Sequence, residues 1–508
     1  ANLASTQTVG LLCNAFGDPY SLSTLRSAIG ALTRAGLQSV VFCGGYPQAP
    51  MFRGEDGEVA IPKVADGLIV LSSTLRSANV NLERLASSVD GPVVSLGDRV
   101  AGAANIGVDD EAAVFQSVAH LVKRHTCKRI AYIAGPEDSV EGERRLSAYR
   151  LALTHLGLPC DQELVVRGNF EASSGRDAVL RLLGQGSFDA VVAANDLMAI
   201  GAIEGLAAAG IAVPATVKVV GFDGIEESPF ACGGLTTVRQ PVLEQGVEAV
   251  NSMLSLLAGG LLEEAPKLIS ASLLIRHTCG CGSHAERWRV PSPPPASSFD
   301  SYEEMALIDD ALRETIRRQL ATKRLQRELA RLAGQLLGAR DHRELASVLT
   351  EVVRLFELRR FALCSYSSEP GFARVLLESR GRDVIFLPQV EPQPVSHLLQ
   401  AQLSRSDGSS SVFIEPLELA DEHFGFLVIE GDLSFGVVQL ELRSLISAAL
   451  SRLGMLGEIR RIYSEHRKLR KPLRFRTVRP GGPRPAPDDA SEAPTAQRRL
   501  PDSGATGE

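Results

Sequence analysis

The chain has 508 residues, the length of about three ordinary domains. Hydrophobic residues make up 44% and charged residues 22%, which is typical of a globular protein and excludes a collagen-like or wholly disordered chain. The formal net charge of −7 disfavours nucleic-acid binding by bulk electrostatics. Because the sequence shows neither a signal-peptide pattern nor a membrane-spanning apolar run, and its eight cysteines are too sparse for a disulfide framework, we expect a cytoplasmic protein.

Residues 8–275 alternate short β-branched apolar runs with segments of helical periodicity. The predicted strands are Val9–Cys13, Ser39–Cys43, Gly67–Leu71, Val93–Leu96, Ile130–Ala134, Glu163–Val166, Ala190–Ala194 and Lys218–Phe222. The predicted helices between them include Leu22–Ala35, Glu111–Arg124, Arg144–Leu156 and Leu197–Ala209. This alternation predicts a doubly wound α/β fold with parallel sheets. The number of units exceeds that of one ordinary sheet, so we expect two lobes within residues 8–285.

The second half of the chain has a different organisation. A Pro-rich linker over 286–301 precedes a helical stretch, 302–338, whose apolar residues follow coiled-coil spacing with a slip in the middle. The pattern predicts a parallel homodimer, although the same leucine stripe could instead pack on the following domain within a monomer. Residues 340–456 are predicted to form a small α+β domain, and 457–508 a basic helix end followed by a disordered tail.

Several short motifs in the first half occur in a characteristic order. They include Pro92-Val93-Val94-Ser95, Val108-Asp109-Asp110, Arg129-Ile130-Ala131-Tyr132-Ile133-Ala134-Gly135-Pro136, Phe188-Asp189-Ala190, Ala194-Asn195-Asp196, Val219-Val220-Gly221-Phe222-Asp223 and Leu235-Thr236-Thr237-Val238. On these motifs the segment resembles the effector-binding half of the lactose-repressor/galactose-repressor (LacI/GalR) family. The resemblance implies a periplasmic-binding-protein-like clamshell that binds a sugar or a related metabolite.

Two further pieces refine the resemblance. Phe42-Cys43-Gly44-Gly45 and Arg276-His277-Thr278-Cys279-Gly280-Cys281 are similar to a subtype of that family fused to signalling outputs. Phe424-Gly425-Phe426-Leu427-Val428-Ile429 more loosely resembles a piece of a GAF-type sensor domain. Since the first predicted strand begins near residue 8, we identify no helix-turn-helix headpiece, and we expect no sequence-specific DNA binding by this chain alone.

The resemblance also selects candidate ligand-binding residues. Arg145, Asn195 and Asp223 match the family's ligand-binding Arg, Asn and Asp, and their hydrogen-bonding groups suit sugar hydroxyls. Each has a simpler alternative, as a salt-bridge partner, a helix cap and a turn residue respectively. The remaining candidates are two aromatic residues, two weaker acidic candidates and one residue at an expected crossing between the lobes: Tyr20, Phe170, Asp98, Asp109 and Gln240.

Other motifs point less clearly to chemistry. Cys279-x-Cys281 with His277 and His284 could form a zinc site, but its spacing is tighter than usual, and we favour a turn or a redox-sensitive pair. His120, His125 and His155, which lie in or beside predicted helices, are interpreted as structural. We therefore predict no metal, no cofactor and no catalytic residues, so the chain is not expected to be an enzyme.

The sequence favours a ligand sensor that acts without a membrane. Closure of the clamshell on a small-molecule effector would be relayed through the helix 302–337 to the GAF-like domain and a downstream signalling or transcription partner. One alternative is a transcription regulator that contacts nucleic acid or a partner through the basic run Arg460–Arg479. Another is the sensor part of a diguanylate cyclase or kinase that has lost its catalytic domain.

Overall fold

The computed structural model describes residues 7–13, 19–44, 49–52, 64–75, 82–263, 265–281, 324–325, 327–406, 410–420, 422–431 and 436–469. The chain divides into a large unit, residues 1–457, and a small one, residues 458–508. Of the small unit the structure describes 458–469, the end of the last helix. The linker 286–301, the first part of the predicted coiled coil and the tail from 470 onward lie outside the described residues.

The first lobe is a parallel α/β layer. Its first five strands form because short, largely apolar runs of four to six residues can be covered on both faces of a sheet. The strands are β1 (Thr8–Cys13), β2 (Gln38–Cys43), β3 (Gly67–Leu71), β4 (Val93–Leu96), β5 (Ala104–Val108) and β11 (Lys267–Ile269), in the order β11-β5-β4-β3-β1-β2. The helices are α1 (Pro19–Arg34), α2 (Leu82–Ser87) and α7 (Val242–Leu257).

The second lobe has its own six-stranded sheet and a separate hydrophobic core. Its order is β12-β10-β9-β8-β6-β7, with β12 antiparallel to β10 and the other pairs parallel. The strands are β6 (Ile130–Ala134), β7 (Val165–Arg167), β8 (Ala190–Ala193), β9 (Lys218–Asp223), β10 (Thr236–Arg239) and β12 (Ser272–Leu274). The helices are α3 (Asp110–His125), α4 (Val140–His155), α5 (Ala172–Gln185) and α6 (Asp196–Ala208). The predicted two-lobed α/β fold is confirmed.

The chain crosses between the lobes three times. The crossings lie between β5 and α3, between β10 and α7, and between β11 and β12. The first and third are joined by a hydrogen bond from the Asp109 amide to the Ile269 carbonyl, 3.1 Å long. Gln240 lies on the second crossing, as the sequence predicted. Such a three-stranded connection allows the lobes to move as two rigid bodies.

The C-terminal part forms an α+β domain with an antiparallel sheet. Its helices are α8 (327–338), α9 (His342–Leu355), α10 (Val395–Leu403) and α11 (Gly436–Leu469). Its strands are β13 (Arg360–Tyr366), β14 (Phe372–Arg380), β15 (Asp383–Phe386), β16 (Gln393–Pro394), β17 (Ser411–Leu419) and β18 (Glu422–Gly431). The strand order is β17-β18-β13-β14-β15, and β16 pairs with β14.

The sheet of the α+β domain continues the sheet of the first lobe. Strand β17 pairs in parallel with β2, placing Val41 opposite Phe413, and the hydroxyls of Ser39 and Ser411 lie 2.8 Å apart. Both faces of this junction are apolar: Val41 and Phe413 belong to one core cluster, and their neighbours in the two strands belong to another. The first lobe and the α+β domain therefore share one twelve-stranded sheet and continuous cores.

The predicted coiled-coil seam is wrong for the part that the structure describes. Leu329, Leu332 and Leu336 are buried, and they pack in the same cluster as Leu349 of α9 and Leu442 of α11. A leucine stripe covered by its own domain cannot also face a second chain. Dimerisation through 302–323 stays a prediction. The described helices include no segment long and apolar enough to cross a bilayer.

Candidate functional site

A pocket lies between the lobes, at the carboxyl ends of the second lobe's strands. The first lobe contributes the start of α1 and the turn after β3, and the second lobe contributes α4 and the segments that follow β7, β8 and β9. The lining residues are Pro19, Tyr20, Ser21, Ser73, Glu141, Arg145, Phe170, Asn195, Leu197, Asp223 and Ile225. The topology explains this gathering, because ligands of open α/β sheets bind at the carboxyl ends of parallel strands.

Arg145 forms the floor of the pocket. Its side chain is 2% exposed, and its guanidinium lies 3.9 Å from the centre of the Phe222 ring. Nε donates to Asp110 at 3.2 Å and Nη1 donates to the Ala194 carbonyl at 2.8 Å, while Nη2 contacts Glu141. Burial alone would lower the pKa of the guanidinium, but the surrounding carboxylates outweigh it and raise that pKa. Arg145 is therefore a fixed cation held by acidic partners.

Asp223 closes the end of β9 beside Arg145, with 3.6 Å between its Oδ1 and Nη1 of the arginine. Its backbone has a φ of 113°, a conformation that side chains rarely adopt. Burial raises the pKa of this carboxyl well above its ordinary value, against the opposing effect of Arg145. Gln240 does not line the pocket, but its Nε2 donates to Asp223 Oδ1 at 2.8 Å and so orients the carboxyl group.

Asn195 serves two structural roles at the pocket wall. Its Oδ1 accepts the Met198 amide at 2.9 Å and so caps α6, and its Nδ2 donates to the Phe170 carbonyl at 2.9 Å. Phe170 has a φ of 68°, and its ring packs directly on Gly135, where a Cβ atom would lie 2.4 Å from the ring. The cap and the aromatic wall are thus held in place by one amide side chain.

Tyr20 brings the first lobe to the pocket from the first turn of α1. Burial raises the pKa of its hydroxyl, and the nearby carboxylate of Glu141 raises it further. The hydroxyl therefore remains a neutral donor at physiological pH. Arg145, Asn195, Asp223, Phe170 and Tyr20, all predicted from sequence, line this one pocket together.

The two weaker acidic candidates lie outside the pocket. Asp98, in the first lobe, pairs across the cleft with Arg144 at 3.4 Å, and burial raises the pKa of its carboxyl. Asp109 caps α3 by accepting the Ala112 amide at 3.0 Å, and it lines a second groove with a volume of about 740 Å³. Asp98 therefore connects the lobes, and Asp109 stabilises the first crossing.

Sequence reasoning did not name six of the eleven lining residues, which are Pro19, Ser21, Ser73, Glu141, Leu197 and Ile225. Two of the six, Glu141 and Ser73, had a usable signal in the sequence. Glu141 precedes Arg145 by one helical turn, and this i,i+4 acid–base spacing was the available signal. Burial raises the pKa of its carboxyl, although Arg145 acts against this shift. Ser73 follows β3, and its position at a strand's carboxyl end was the corresponding signal for the first lobe.

The structure also changes the interpretation of the cysteine pair. Cys279 and Cys281 are met by His120 and His125, which sequence analysis took to be structural, and the ligand atoms of all four side chains lie within 4.8 Å of one another. His277 is not part of this group, and His284 lies outside the described residues. The histidine pair and the cysteine pair are more than 150 positions apart in sequence, with 159 between His120 and Cys279, so no local motif joined them.

Several known proteins are similar to this chain. Residues 118–279 match the periplasmic binding protein-like domain family. The HTH-type transcriptional regulator GalR of Escherichia coli (strain K12) is 30% identical over 285 residues, covering 54% of this chain and 79% of GalR. The HTH-type transcriptional regulator AscG of the same organism is 35% identical over 173 residues, covering 34% of this chain and 51% of AscG.

Among solved structures, a transcriptional regulator CelR–cellobiose complex is 29% identical, with a TM-score of 0.48, and the match covers 54% of this chain and 84% of that chain. Of the two sequence relatives, the chain spans 79% of the length of GalR and 51% of the length of AscG. The family match, residues 118–279, contains the strands of the second lobe whose carboxyl ends line the pocket. By its sequence match to GalR, the chain belongs to the LacI/GalR family through a periplasmic-binding-protein-like effector-binding domain.

Proposed function

We propose that the chain is a regulatory sensor whose clamshell binds a neutral, sugar-like effector in the pocket around Arg145. The observation that carries the proposal is the convergence of Tyr20 from one lobe with Arg145, Asn195 and Asp223 from the other. Donors and acceptors from both lobes around one pocket give a ligand different contacts in open and closed states, which is what a conformational switch requires. Phe170 supplies an aromatic face for the apolar side of a sugar ring.

The charge balance of the pocket favours an uncharged ligand. Arg145 is already paired with Asp110 and Glu141, so it offers no uncompensated cation to a phosphate or carboxylate group. Asp223 lies beside the same guanidinium, with its Oδ1 3.6 Å from Nη1 of Arg145, so a third acidic group already faces this cation. A polyhydroxyl compound can exchange hydrogen bonds with these groups, whereas an anionic sugar phosphate would add charge to an acidic pocket.

Binding requires the lobes to separate. The pocket encloses about 30 Å³, which is room for little more than a water molecule. The ion pair between Asp98 and Arg144 holds the lobes together across the cleft. We infer that a ligand enters when this pair opens, and that it then replaces direct contacts between the lobes with contacts of its own.

The output passes through the sheet that the first lobe shares with the α+β domain. Because β2 and β17 are paired and both faces of the junction are packed, we infer that these two parts move together against the second lobe. We propose that the α+β domain is GAF-like and presents the closure state to a downstream partner. GalR and AscG are named as HTH-type transcriptional regulators, which supports a role in transcription regulation.

A binding screen tests the ligand proposal. Thermal unfolding of the intact chain is measured with neutral sugars, polyols and nucleosides, and with matched sugar phosphates. A neutral ligand at about 100 times its Kd should stabilise the binding domain by about 2.7 kcal/mol, and its phosphate should not. The proposal fails if no neutral compound raises the melting temperature, or if only anionic compounds do.

Two variants then test the site with a matched control. Tyr20→Phe removes one hydroxyl, and Asn195→Ser keeps a helix-capping oxygen while it removes the amide. Each should weaken ligand binding about tenfold, the effect of one lost hydrogen bond of ~1.4 kcal/mol. Tyr132→Phe makes the same chemical change in the second lobe's core, where the hydroxyl has no hydrogen-bond partner among the described residues, and should leave affinity unchanged.

Hydrogen exchange tests the relay separately. The amides of β2 and β17 should exchange slowly with and without ligand, since they lie inside one sheet, whereas ligand should alter exchange at the three crossings. Rapid exchange in β17, typical of an exposed edge strand, would contradict a rigid junction even if the ligand binds as proposed.

A further inference from the structure

Four side chains with metal-binding atoms meet at the base of the second lobe. His120 and His125 come from the last part of α3, Cys279 from a short 3₁₀ turn, His277–Cys279, and Cys281 follows two residues later. Their ligand atoms all lie within 4.8 Å of one another. A helix of 16 residues is about 24 Å long. The cluster lies near the C-terminal end of α3, whereas Arg145 of the pocket binds Asp110 at the opposite end, so the two sites are well separated.

The distances fit tetrahedral zinc. With Zn–N of about 2.05 Å and Zn–S of about 2.3 Å, tetrahedral geometry places two nitrogens about 3.3 Å apart and a nitrogen and a sulfur about 3.6 Å apart. The two histidine Nε2 atoms are 3.3 Å apart. Nε2 of His120 lies 3.4 Å from Cys279 Sγ and 3.5 Å from Cys281 Sγ, and Nε2 of His125 lies 3.1 Å from Cys281 Sγ. These four distances are close to those of a tetrahedral zinc site, and all four ligand atoms lie within 4.8 Å of one another.

The backbone holds the two cysteines in this arrangement. Thr278, which directly precedes Cys279, makes three hydrogen bonds to the core of the lobe. Its hydroxyl donates to the Val219 carbonyl at 2.7 Å and accepts from the Thr236 amide at 2.9 Å. Its own amide donates to the Gly234 carbonyl at 3.1 Å. Gly280 then adopts a φ of 87°, which turns the chain back toward α3. The sulfurs are therefore directed at the histidines by contacts that need no metal.

Burial and charge agree with a closed metal site. Cys279 is fully buried, and the other three residues are half-buried. Two thiolates, two neutral imidazoles and one Zn²⁺ have no net charge, so the complete site suits a place with little water. Four protein ligands leave no position for a substrate or an activated water, which is typical of a structural site rather than a catalytic one.

We propose that His120, His125, Cys279 and Cys281 bind one Zn²⁺ ion as a structural site. The ion fastens the segment that ends the clamshell, 277–281, to α3, and so fixes the place where the chain leaves the second lobe. This inference is independent of the pocket and its ligand. Both soft sulfur and imidazole donors favour Zn²⁺ over Mg²⁺ or Ca²⁺, which prefer oxygen ligands.

Metal analysis of the intact, untagged protein is the first test. Protein purified without chelator should carry about one zinc per chain, and prolonged chelation should remove it and lower the melting temperature. Adding Co²⁺ to the chelated, reduced wild-type protein should produce the visible bands of tetrahedral cobalt and a thiolate charge-transfer band, saturating near one equivalent. This titration needs no variant and so does not depend on the folding of any variant.

Variants assign the ligands. Cys281→Ser and His125→Ala should reduce the bound zinc at least tenfold and abolish the cobalt spectrum, and chelation should no longer lower their melting temperatures. The matched controls Cys232→Ser, an exposed thiol, and His155→Ala, an exposed histidine elsewhere in the same lobe, should retain about one zinc and the full spectrum.

Three results would overturn the proposal. The first is reduced wild-type protein that takes up less than about a tenth of an equivalent of zinc or cobalt. The second is cobalt uptake without thiolate charge transfer, which would place the ion elsewhere. The third is a disulfide between Cys279 and Cys281 that persists in the cytoplasmic range of reducing potential, because two oxidised sulfurs cannot serve as thiolate ligands.

Discussion

Replacement of Arg145 by Ala should destabilise the second lobe strongly, because Arg145 is the cation shared by several buried acids. The change removes an ion pair to Asp110 at 3.2 Å, a contact with Glu141, and a 2.8 Å hydrogen bond to the Ala194 carbonyl. It also leaves Asp223 without the positive charge at 3.6 Å. Breaking a buried pair by removing one partner typically costs about 3–5 kcal/mol, and we expect a loss in this range at pH 7.

The loss should depend on pH in a direction that the carboxyl groups determine. Burial raises the pKa values of Glu141 and Asp223 above those of the unfolded chain, and removal of Arg145 raises them further. A carboxyl with a raised pKa in the folded state holds its proton more tightly there than in the unfolded chain. The free energy of unfolding therefore falls as the pH rises from the unfolded pKa to the folded pKa. The destabilisation by Arg145→Ala should therefore be smaller at pH 5 than at pH 7.

Urea unfolding followed by circular dichroism at both pH values measures this effect. Arg145→Lys, which restores a charge without the planar fork, should recover part of the lost free energy. The control is Arg176→Ala, whose side chain is 50% exposed and lies 4.0 Å from an exposed partner, and which should change the free energy of unfolding by less than about 0.5 kcal/mol. A loss below about 1 kcal/mol at pH 7, or one that grows on acidification, would refute the reasoning.

Three further changes separate packing from charge, each checked by chemical unfolding. Gly201→Ala should lower the free energy of unfolding by at least about 1–3 kcal/mol, because the added Cβ would lie 1.8 Å from a carbonyl oxygen of α5. Its control, Gly184→Ala in α5, has open space around the added Cβ and should raise the free energy of unfolding by about 0.5–1 kcal/mol. Burial raises the pKa of Glu415 to about 8, so this carboxyl should make wild-type stability fall as the pH rises from 5 toward 8, and Glu415→Gln should reduce this dependence. Leu332→Asp should unfold the α+β domain at a cost of about 3–5 kcal/mol rather than dissociate a dimer, while the exposed Gln335→Asp should be nearly neutral.

The two lobes were predictable because their strands are continuous apolar runs that only a covered parallel sheet can accommodate. The least accurate strand was the predicted Glu163–Val166, which the structure replaces by a 3₁₀ turn, Gln162–Leu164, followed by Val165–Arg167. The residues of the pocket were accessible through the family resemblance, since Arg145, Asn195 and Asp223 each occupy a fixed place after a strand or on a helix. Glu141 lacked such a place in the motifs, although its spacing from Arg145 was visible.

Contacts between distant segments could not be predicted in the same way. The pairing of β2 with β17 consists of backbone hydrogen bonds and shared apolar faces, and neither carries a distinctive sequence pattern. The stripe from Leu325 to Leu336 has the same spacing whether it faces a second helix or its own domain. The meeting of His120 and His125 with the cysteine pair depends on where α3 ends relative to the last turn of the lobe, which only the folded chain determines.

The pocket is connected to the crossings between the lobes by single contacts. Arg145 binds Asp110, which begins α3 directly after the first crossing, and Gln240 on the second crossing donates to Asp223. A ligand that draws on the hydrogen bonds of Arg145 or Asp223 must therefore change the contacts of residues whose backbone conformation sets the angle between the lobes. Because the first lobe continues through β2 into β17, a change in that angle moves the second lobe relative to the α+β domain as well. A partner that contacts both the second lobe and the α+β domain would then bind differently with and without the ligand. This route does not require the segment 302–323 to carry the signal.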